Sequence, residues 1–421
     1  MKRFLIALFT AFPILSASPA VCNAASDIYV TPQQFGAKGD GKADDTRAIL
    51  KAIKKADETN GVVYFPAGTY RTDEIEVPAH ITLKSEPSWS YRTLGRSVLV
   101  PANEGQKGIL DLSLATGSTI YGLCLDGQNM GENMHGIVTY DHKRDRSREH
   151  TFRIDNCRIT NFSGDGLHMV DFWAFILRNS MSNHNGGDGC YLEGCDCWIN
   201  DNIFSSNGKA GIGGDTWNSA VTAMGNRIEW NKQCGVRLCA SIRFALVGNY
   251  IDRSFGPAII LDKGPNYHER IGREHTVLPC CITICGNNIV RSARESERGS
   301  DLDCQILMRN AVGVTITGNT FNVWKDDSSG GRATPTYGIV IENCADCVIT
   351  GNEMMAGAAE QLILNKGGNG ENVIISDNAG TALPEKAWDS NDPFTPAHYL
   401  LEGGIPWYKE QLKGEENNLN K

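Results

Sequence analysis

Residues 152–262 read FRIDNCRITNFSGDGLHMVDFWAFILRNSMSNHNGGDGCYLEGCDCWINDNIFSSNGKAGIGGDTWNSAVTAMGNRIEWNKQCGVRLCASIRFALVGNYIDRSFGPAIILD. One unit recurs through them: a short apolar strand, an Asn step, a Gly-rich bend and a second apolar strand. The steps fall at Asn179, Asn202, Asn226 and Asn249, about 23 residues apart. They continue at Asn287, Asn319, Asn352 and Asn378, and Cys157 holds the matching place one unit earlier. A period of this size is the mark of a solenoid, whose coils cannot bury their apolar faces alone and stack to do so.

Aligned on the bend, the second strand of each unit runs Leu167-His-Met-Val, Cys190-Tyr-Leu-Glu, Ile212-Gly-Gly-Asp, Val236-Arg-Leu-Cys and Ile259-Ile-Leu-Asp. Later units give Ile306-Leu-Met-Arg, Ile339-Val-Ile-Glu and Leu362-Ile-Leu-Asn. Side chains alternate faces along a strand, so the apolar first and third places point inward and the second and fourth outward. The outward central members are His168, Tyr191, Glu193, Asp215, Arg237 and Asp262. Strands roughly 4.8 Å apart would gather them into one polar patch on a rigid wall.

Upstream, Ala48, Ile49, Ala52, Ile53 and Ala56 form one apolar stripe at helical spacing, with Asp44 or Asp45 placed to cap the helix start and Asn60-Gly61 to end it. An open solenoid end exposes core and strand edges, so a covering helix has a physical task there. FGAKGDGKADDTRAI at 35–49 followed by GVVYFPAGTY at 61–70 resembles the N-terminal signature of the pectate-lyase-like superfamily. That resemblance implies an all-β, right-handed parallel β-helix with an N-terminal capping helix, over residues 26–381. It also implies activity on a uronate-containing, pectin-like polysaccharide, by a lyase first, then a hydrolase, then an epimerase. A non-catalytic carbohydrate-binding β-helix is the alternative from another class.

Met1-Lys-Arg, an apolar run from Phe4 to Ser16 and small residues to Ala25 have the form of a secretory signal peptide, residues 1–25. The expected location is therefore periplasmic or secreted, with no membrane span. Residues 382–421, polar and Pro-containing, are expected to form a C-terminal cover and tail. The formal charge of −9, or −11 without Lys2 and Arg3, excludes a nucleic-acid partner in the absence of a basic stripe. The expected particle is a monomer. Of 14 cysteines, Cys157, Cys190, Cys281 and Cys285 fall at inward places. Cys195-Asp-Cys197 and Cys344-Ala-Asp-Cys347 lack a second element at zinc spacing, so core or disulfide roles outrank metal. The basic stretch 141–150 is a surface loop or a substrate-gripping one.

Two chemistries compete for the patch. In β-elimination the uronate charge is neutralised and the neighbouring proton removed. Glu193, Asp215 and Asp262 would cradle calcium, and Arg237, Lys263, His168 or Tyr191 would be the base. In hydrolysis Glu193 with Asp215, or Asp215 with Asp262, would flank the bond. Residues 163–194 also resemble the central coils of mannuronan C5-epimerase modules. Glu193 stands where that family has a catalytic Asp and Lys209 where it has an Arg, while its Tyr-x-x-Asp-x-His stretch is replaced by Asp165-Gly-Leu-His168. Tyr140, Tyr191, Lys209 and Lys263 are the expected substrate contacts.

Overall fold

The computed structural model describes residues 28–140, 147, 149–264, 276–322 and 335–382. The leader, the tail from residue 383, most of the basic stretch, and the insertions carrying His268, Arg270, His275 and Lys325 lie outside the described residues. The strands form two parallel sheets, of 23 and 13 strands. Each neighbour in a sheet comes from the next coil of the chain, so the architecture is a parallel β-helix. Long strands such as Leu167–Arg178 and Cys190–Asn200 bend from one wall to the next through left-handed residues, Asp171, Ala174 and Asp196 among them.

The inward places fill a continuous core. Leu167, Cys190, Ile212, Val236, Ile259 and Ile306 are all fully buried and stand in register on successive rungs. At the last rung the register differs from the sequence alignment by one residue: Ile363, not Leu362, faces Ile339. The helix α1, Thr46–Asp57, buries the stripe Ala48, Ile49, Ala52, Ile53 and Ala56 in the same core. Its first amide is taken by Asp44, whose carboxylate is 2.9 Å from the Thr46 nitrogen. Asp45 instead turns back to accept the amides of Lys38 and Gly39.

The Asn ladder runs up one corner. Each side-chain oxygen accepts the backbone and side-chain nitrogens of the Asn one coil earlier, from Asn202 through Asn226, Asn249, Asn287, Asn319 and Asn352 to Asn378. Asn179 is not in it. Its side chain bonds Asp155, and Ser180 takes the rung, accepting from Cys157 and donating its amide to Asn202. A second ladder that the spacing concealed, Asn185–Asn207–Asn231, runs up the next corner with bonds of 3.0 Å. Both satisfy buried amides that would otherwise cost stability.

Cys157 and Cys190 are buried as expected, but Cys281 is exposed and Cys285 half-buried. The inward places there belong to Ile282 and Ile284. All thirteen described cysteines are free thiols.

Candidate active site

Five strands carry the wall: β1 (Ile137–Thr139), β2 (Leu167–Arg178), β3 (Cys190–Asn200), β4 (Ala210–Gly214) and β5 (Cys234–Cys239). Strand β6 (Ile259–Asp262) continues it. Register sets the second outward place as Val138, His168, Tyr191, Gly213, Arg237 and Ile260. The fourth place holds Val170 opposite Glu193 and Cys239 opposite Asp262, with Asp215 directly after β4. The wall is therefore assembled, but its members are unequally engaged.

At its upper end three rings stack. His135, at the bend before β1, lies 4.3 Å from His168, and His168 lies 5.1 Å from Tyr191, with interplanar angles of 22° and 11°. His168 is partly exposed, as is Tyr191, and bonds through Nδ1 to the buried Asp165 carboxylate at 2.7 Å. A carboxylate at Nδ1 fixes the tautomer whose Nε2 is free to take a proton, the logic of an Asp–His pair. Burial works against the Asp165 charge, yet the His168 bond and the two imidazoles outweigh it and its pKa falls below the usual carboxylate value. Burial pushes His135 down to about 4, helped by the charges of His168, Lys107 and Lys209. His135 is thus neutral, its Nδ1 accepting the Asp165 amide at 2.8 Å. Burial, with the charges of Glu193, Asp215 and Asp188, raises Tyr191 to about 12, against the Thr216 hydroxyl bond that lowers it. Its phenol stays protonated at neutral pH.

Arg237 was expected as base or charge neutraliser, and its geometry contradicts the first role. The guanidinium is nearly fully buried and bonds both oxygens of Asp188 and both of Asp215. Burial opposes its charge, but the two carboxylates more than restore it, and its pKa rises. A cation so held gives up no proton at any ordinary pH. The calcium cradle is not formed either. The rung bearing Cys239 separates Asp215 from Asp262. Asp215 is taken up by Arg237, and Asp262 by Arg309 at 2.7 Å and Asn310 at 2.8 Å. The one cluster of three ligand-type groups among the described residues is His135, Asp165 and His168. Its rings lie parallel rather than converging, and both Nδ1 atoms are already bonded, which suits proton transfer better than a metal.

Tyr140 closes the upper edge, its hydroxyl 2.7 Å from Glu74; burial and that carboxylate raise its pKa. Lys209 is exposed at the bend before β4. Lys263 is exposed, with its amide on Asp262. Below Arg237 the second outward place turns apolar: Ile260, Leu307 and Val340 pack in a separate small cluster that ends the polar stretch. His150, the last residue of the basic stretch, is buried and bonded to Trp173 and Ser113, so it is part of the frame.

Sequence reasoning passed over His135 and Asp188, and met Asp165 only as part of the stretch that departs from the epimerase pattern. The signal for the two aspartates was present in Gly164-Asp-Gly166 and Gly187-Asp-Gly189, the same triplet in consecutive bends. Asp165 accepts the Asp188 amide at 2.6 Å and Asp188 accepts that of Ala210 at 2.7 Å. Each bend carboxylate thus pins the next coil while its other oxygen bonds a wall residue, His168 or Arg237.

Residues 30–237 match the family model described as rhamnogalacturonase A/epimerase, pectate lyase-like. That match, together with the fold, fits the pectate-lyase-like superfamily of parallel β-helix proteins. The A-module of mannuronan C-5 epimerase AlgE6 from Azotobacter vinelandii superposes with a TM-score of 0.58 at 17% identity, covering 83% of this chain and 99% of that one. By sequence, the pectate-lyase-like chain is 27% identical over 187 residues to the capsule K30/K69-specific depolymerase of Klebsiella phage K64-1, over 40% of this chain and 23% of the relative. It is 28% identical over 169 residues to the whole AlgE6 epimerase, over 37% of this chain and 19% of the relative. The match therefore spans about a quarter or less of these curated relatives' length. No helix among the described residues is long and apolar enough to cross a membrane.

Proposed function

We propose that this protein is a polysaccharide-acting enzyme that cleaves a uronate-containing chain by β-elimination, with His168 as base and Tyr191 as proton donor. The relatives named as a capsule depolymerase and a mannuronan epimerase support the polymer class. The observation that carries the reaction is the stack itself. A base oriented by Asp165 and a protonated phenol stand on adjacent rungs, 5.1 Å apart between rings, on one wall. His168 Nε2 removes the proton beside the uronate carboxylate; the Tyr191 hydroxyl protonates the departing glycosidic oxygen. Lys209 and Lys107, close enough to depress His135, supply positive potential for the carboxylate. Epimerisation needs a proton taken from one face of the sugar and returned to the other. Acid and base on one wall meet the same face, which favours elimination.

Hydrolysis draws less support, because both oxygens of Asp215 accept from Arg237, and Asp262 is taken up by Arg309 and Asn310. The deciding experiment incubates the full chain with pectic, alginate and glycosaminoglycan polymers. Ultraviolet absorbance of an unsaturated uronate at new chain ends is the expected result. New reducing ends without that absorbance would replace the reading with hydrolysis.

A further inference from the structure

Cys344-Ala-Asp-Cys347 turns the corner between strands Tyr337–Glu342 and Val348–Thr350. It plays no part in the wall. The corner is tight: Asn343 and Asp346 both take left-handed backbone, with φ of 55° and 53°. Ala345 bridges to Val312 of the preceding coil, which bridges to Cys280 of the one before. That register makes Ala311 and Val314 the counterparts of Cys344 and Cys347. These counterparts are fully buried apolar residues that need only touch. In the coil bearing Cys344, both inward stations hold sulfur.

Both side chains point into the main core, 1% and 0% exposed. The two thiols occupy the neighbouring inward stations of one corner and belong to the same buried cluster. They also lie against carbonyls of their own corner: Cys344 Sγ is 3.3 Å from the Glu342 oxygen and Cys347 Sγ 3.1 Å from that of Ala345. The nearby Cys347 thiol, above all, draws Cys344 down to about 7 despite burial. The four-residue corner thus turns two sulfurs inward on either side of two left-handed residues, one of them favoured as thiolate.

We infer that Cys344 and Cys347 are a dithiol that closes to an intracoil disulfide by exchange with a disulfide donor. The Cys344 thiolate attacks one sulfur of the donor, forming a mixed disulfide and releasing one donor thiolate. Cys347 then loses its proton and attacks the Cys344 sulfur, releasing the second donor thiolate. Two protein thiols are oxidised, one donor disulfide is reduced, and the two protons end on the two donor thiols. The place gives the bond a use. The coil that follows is the last described one, and its strands Ile374–Ser376 and Ala379–Ala382 are exposed throughout. A link at this corner braces the coil on which these exposed strands pair.

The full chain is equilibrated in glutathione buffers of graded thiol-to-disulfide ratio, both after folding and by folding in the same buffers. It is then quenched in acid, denatured, alkylated without reduction and digested with trypsin. Residues 333–366 form one tryptic peptide whose only cysteines are these two. The expected result is a joint loss of both alkylation sites in that peptide, with a loss of two hydrogens. In Cys347→Ser, Cys344 should stop at the mixed glutathione disulfide. Full alkylation of both cysteines at every ratio in both arms would overturn the inference, and so would a link from either one to any other cysteine.

Discussion

Arg237 and Asp188 are 49 residues apart in the chain, yet two nitrogens of one meet two oxygens of the other at 3.2 and 3.0 Å. The contact reaches back past the rung of Gly213, which faces Arg237 on one side and Tyr191 on the other. A Cβ at Gly213 would lie 2.5 Å from Asp188 Oδ2. Here glycine is required by close approach: it opens the gap through which the guanidinium reaches both Asp188 and Asp215.

The pair should therefore fail from either direction. Arg237→Met leaves the buried Asp188 carboxylate without its cation, at an expected cost of about 3–5 kcal/mol, while the half-exposed Asp215 can turn to water. Gly213→Ala should cost about 1–3 kcal/mol through forced displacement of the Asp188 carboxylate. Urea denaturation measures both. Because they disrupt one network, the double variant should lose clearly less than the sum. Strict additivity would show that Gly213 does not serve the pair.

His168→Gln keeps a polar group of similar size and removes the base. Turnover on the responsive polymer should fall roughly 10²–10⁴-fold, with denaturation midpoint little changed. Asp165→Asn should also lower turnover, since the amide can hold the wrong tautomer. It should cost stability as well, because Asp165 accepts the Asp188 amide. A His168→Gln variant with wild-type turnover would remove His168 from the chemistry.

Tyr191→Phe preserves the ring against His168 and deletes the proton donor. The expected effect falls on kcat rather than KM, because the ring contact with substrate is retained while leaving-group protonation is lost. Substrates with a better leaving group should recover part of the rate. Loss confined to KM would make Tyr191 a binding residue only.

Most of the coil was legible in the sequence because its determinants are local and periodic. Alternating Leu167-His-Met-Val and its repeats told inside from outside, and the wall's membership followed. The failures have specific causes. Asn179 and Ser180 both suit a corner, and only the pairing of Met181 with Ile203 shows that Ser180 holds the rung. Leu362 and Ile363 are both apolar, so composition could not fix the register. Which carboxylates are engaged was not readable, since Arg237 chooses partners one and two coils back, and Asp262 finds Arg309 47 residues on. The His135–His168–Tyr191 stack joins three coils in the same way.

Asn226 tests the ladder. Its oxygen accepts two nitrogens of Asn202, and its own nitrogens reach Asn249 and the Ile199 carbonyl, all buried. Asn226→Leu strands those partners away from water, at an expected cost of about 2–4 kcal/mol in chemical denaturation. Asn179→Leu should cost under about 1 kcal/mol, because that side chain lies outside the ladder and its residue is exposed. Equal losses would contradict the assignment of the rung to Ser180.

His135 gives the fold a pH dependence of definite sign. Burial holds its folded-state pKa at about 4, below the ordinary imidazole value of 6.5. Between those values the unfolded chain binds a proton that the folded chain refuses. Stability is therefore complete above about pH 6.5 and drains as pH falls toward 4, by on the order of 3 kcal/mol at most. Asp165, also held low, adds loss of the same sign at more acidic pH. His135→Gln retains an acceptor for the Asp165 amide and removes the titration. Denaturation midpoints taken from pH 7.5 down to 4.5 should fall less steeply for that variant than for the parent. Parallel curves would mean that His135 is protonated in the folded protein as readily as in the unfolded one, and the neutral ring at the head of the stack would have to be abandoned.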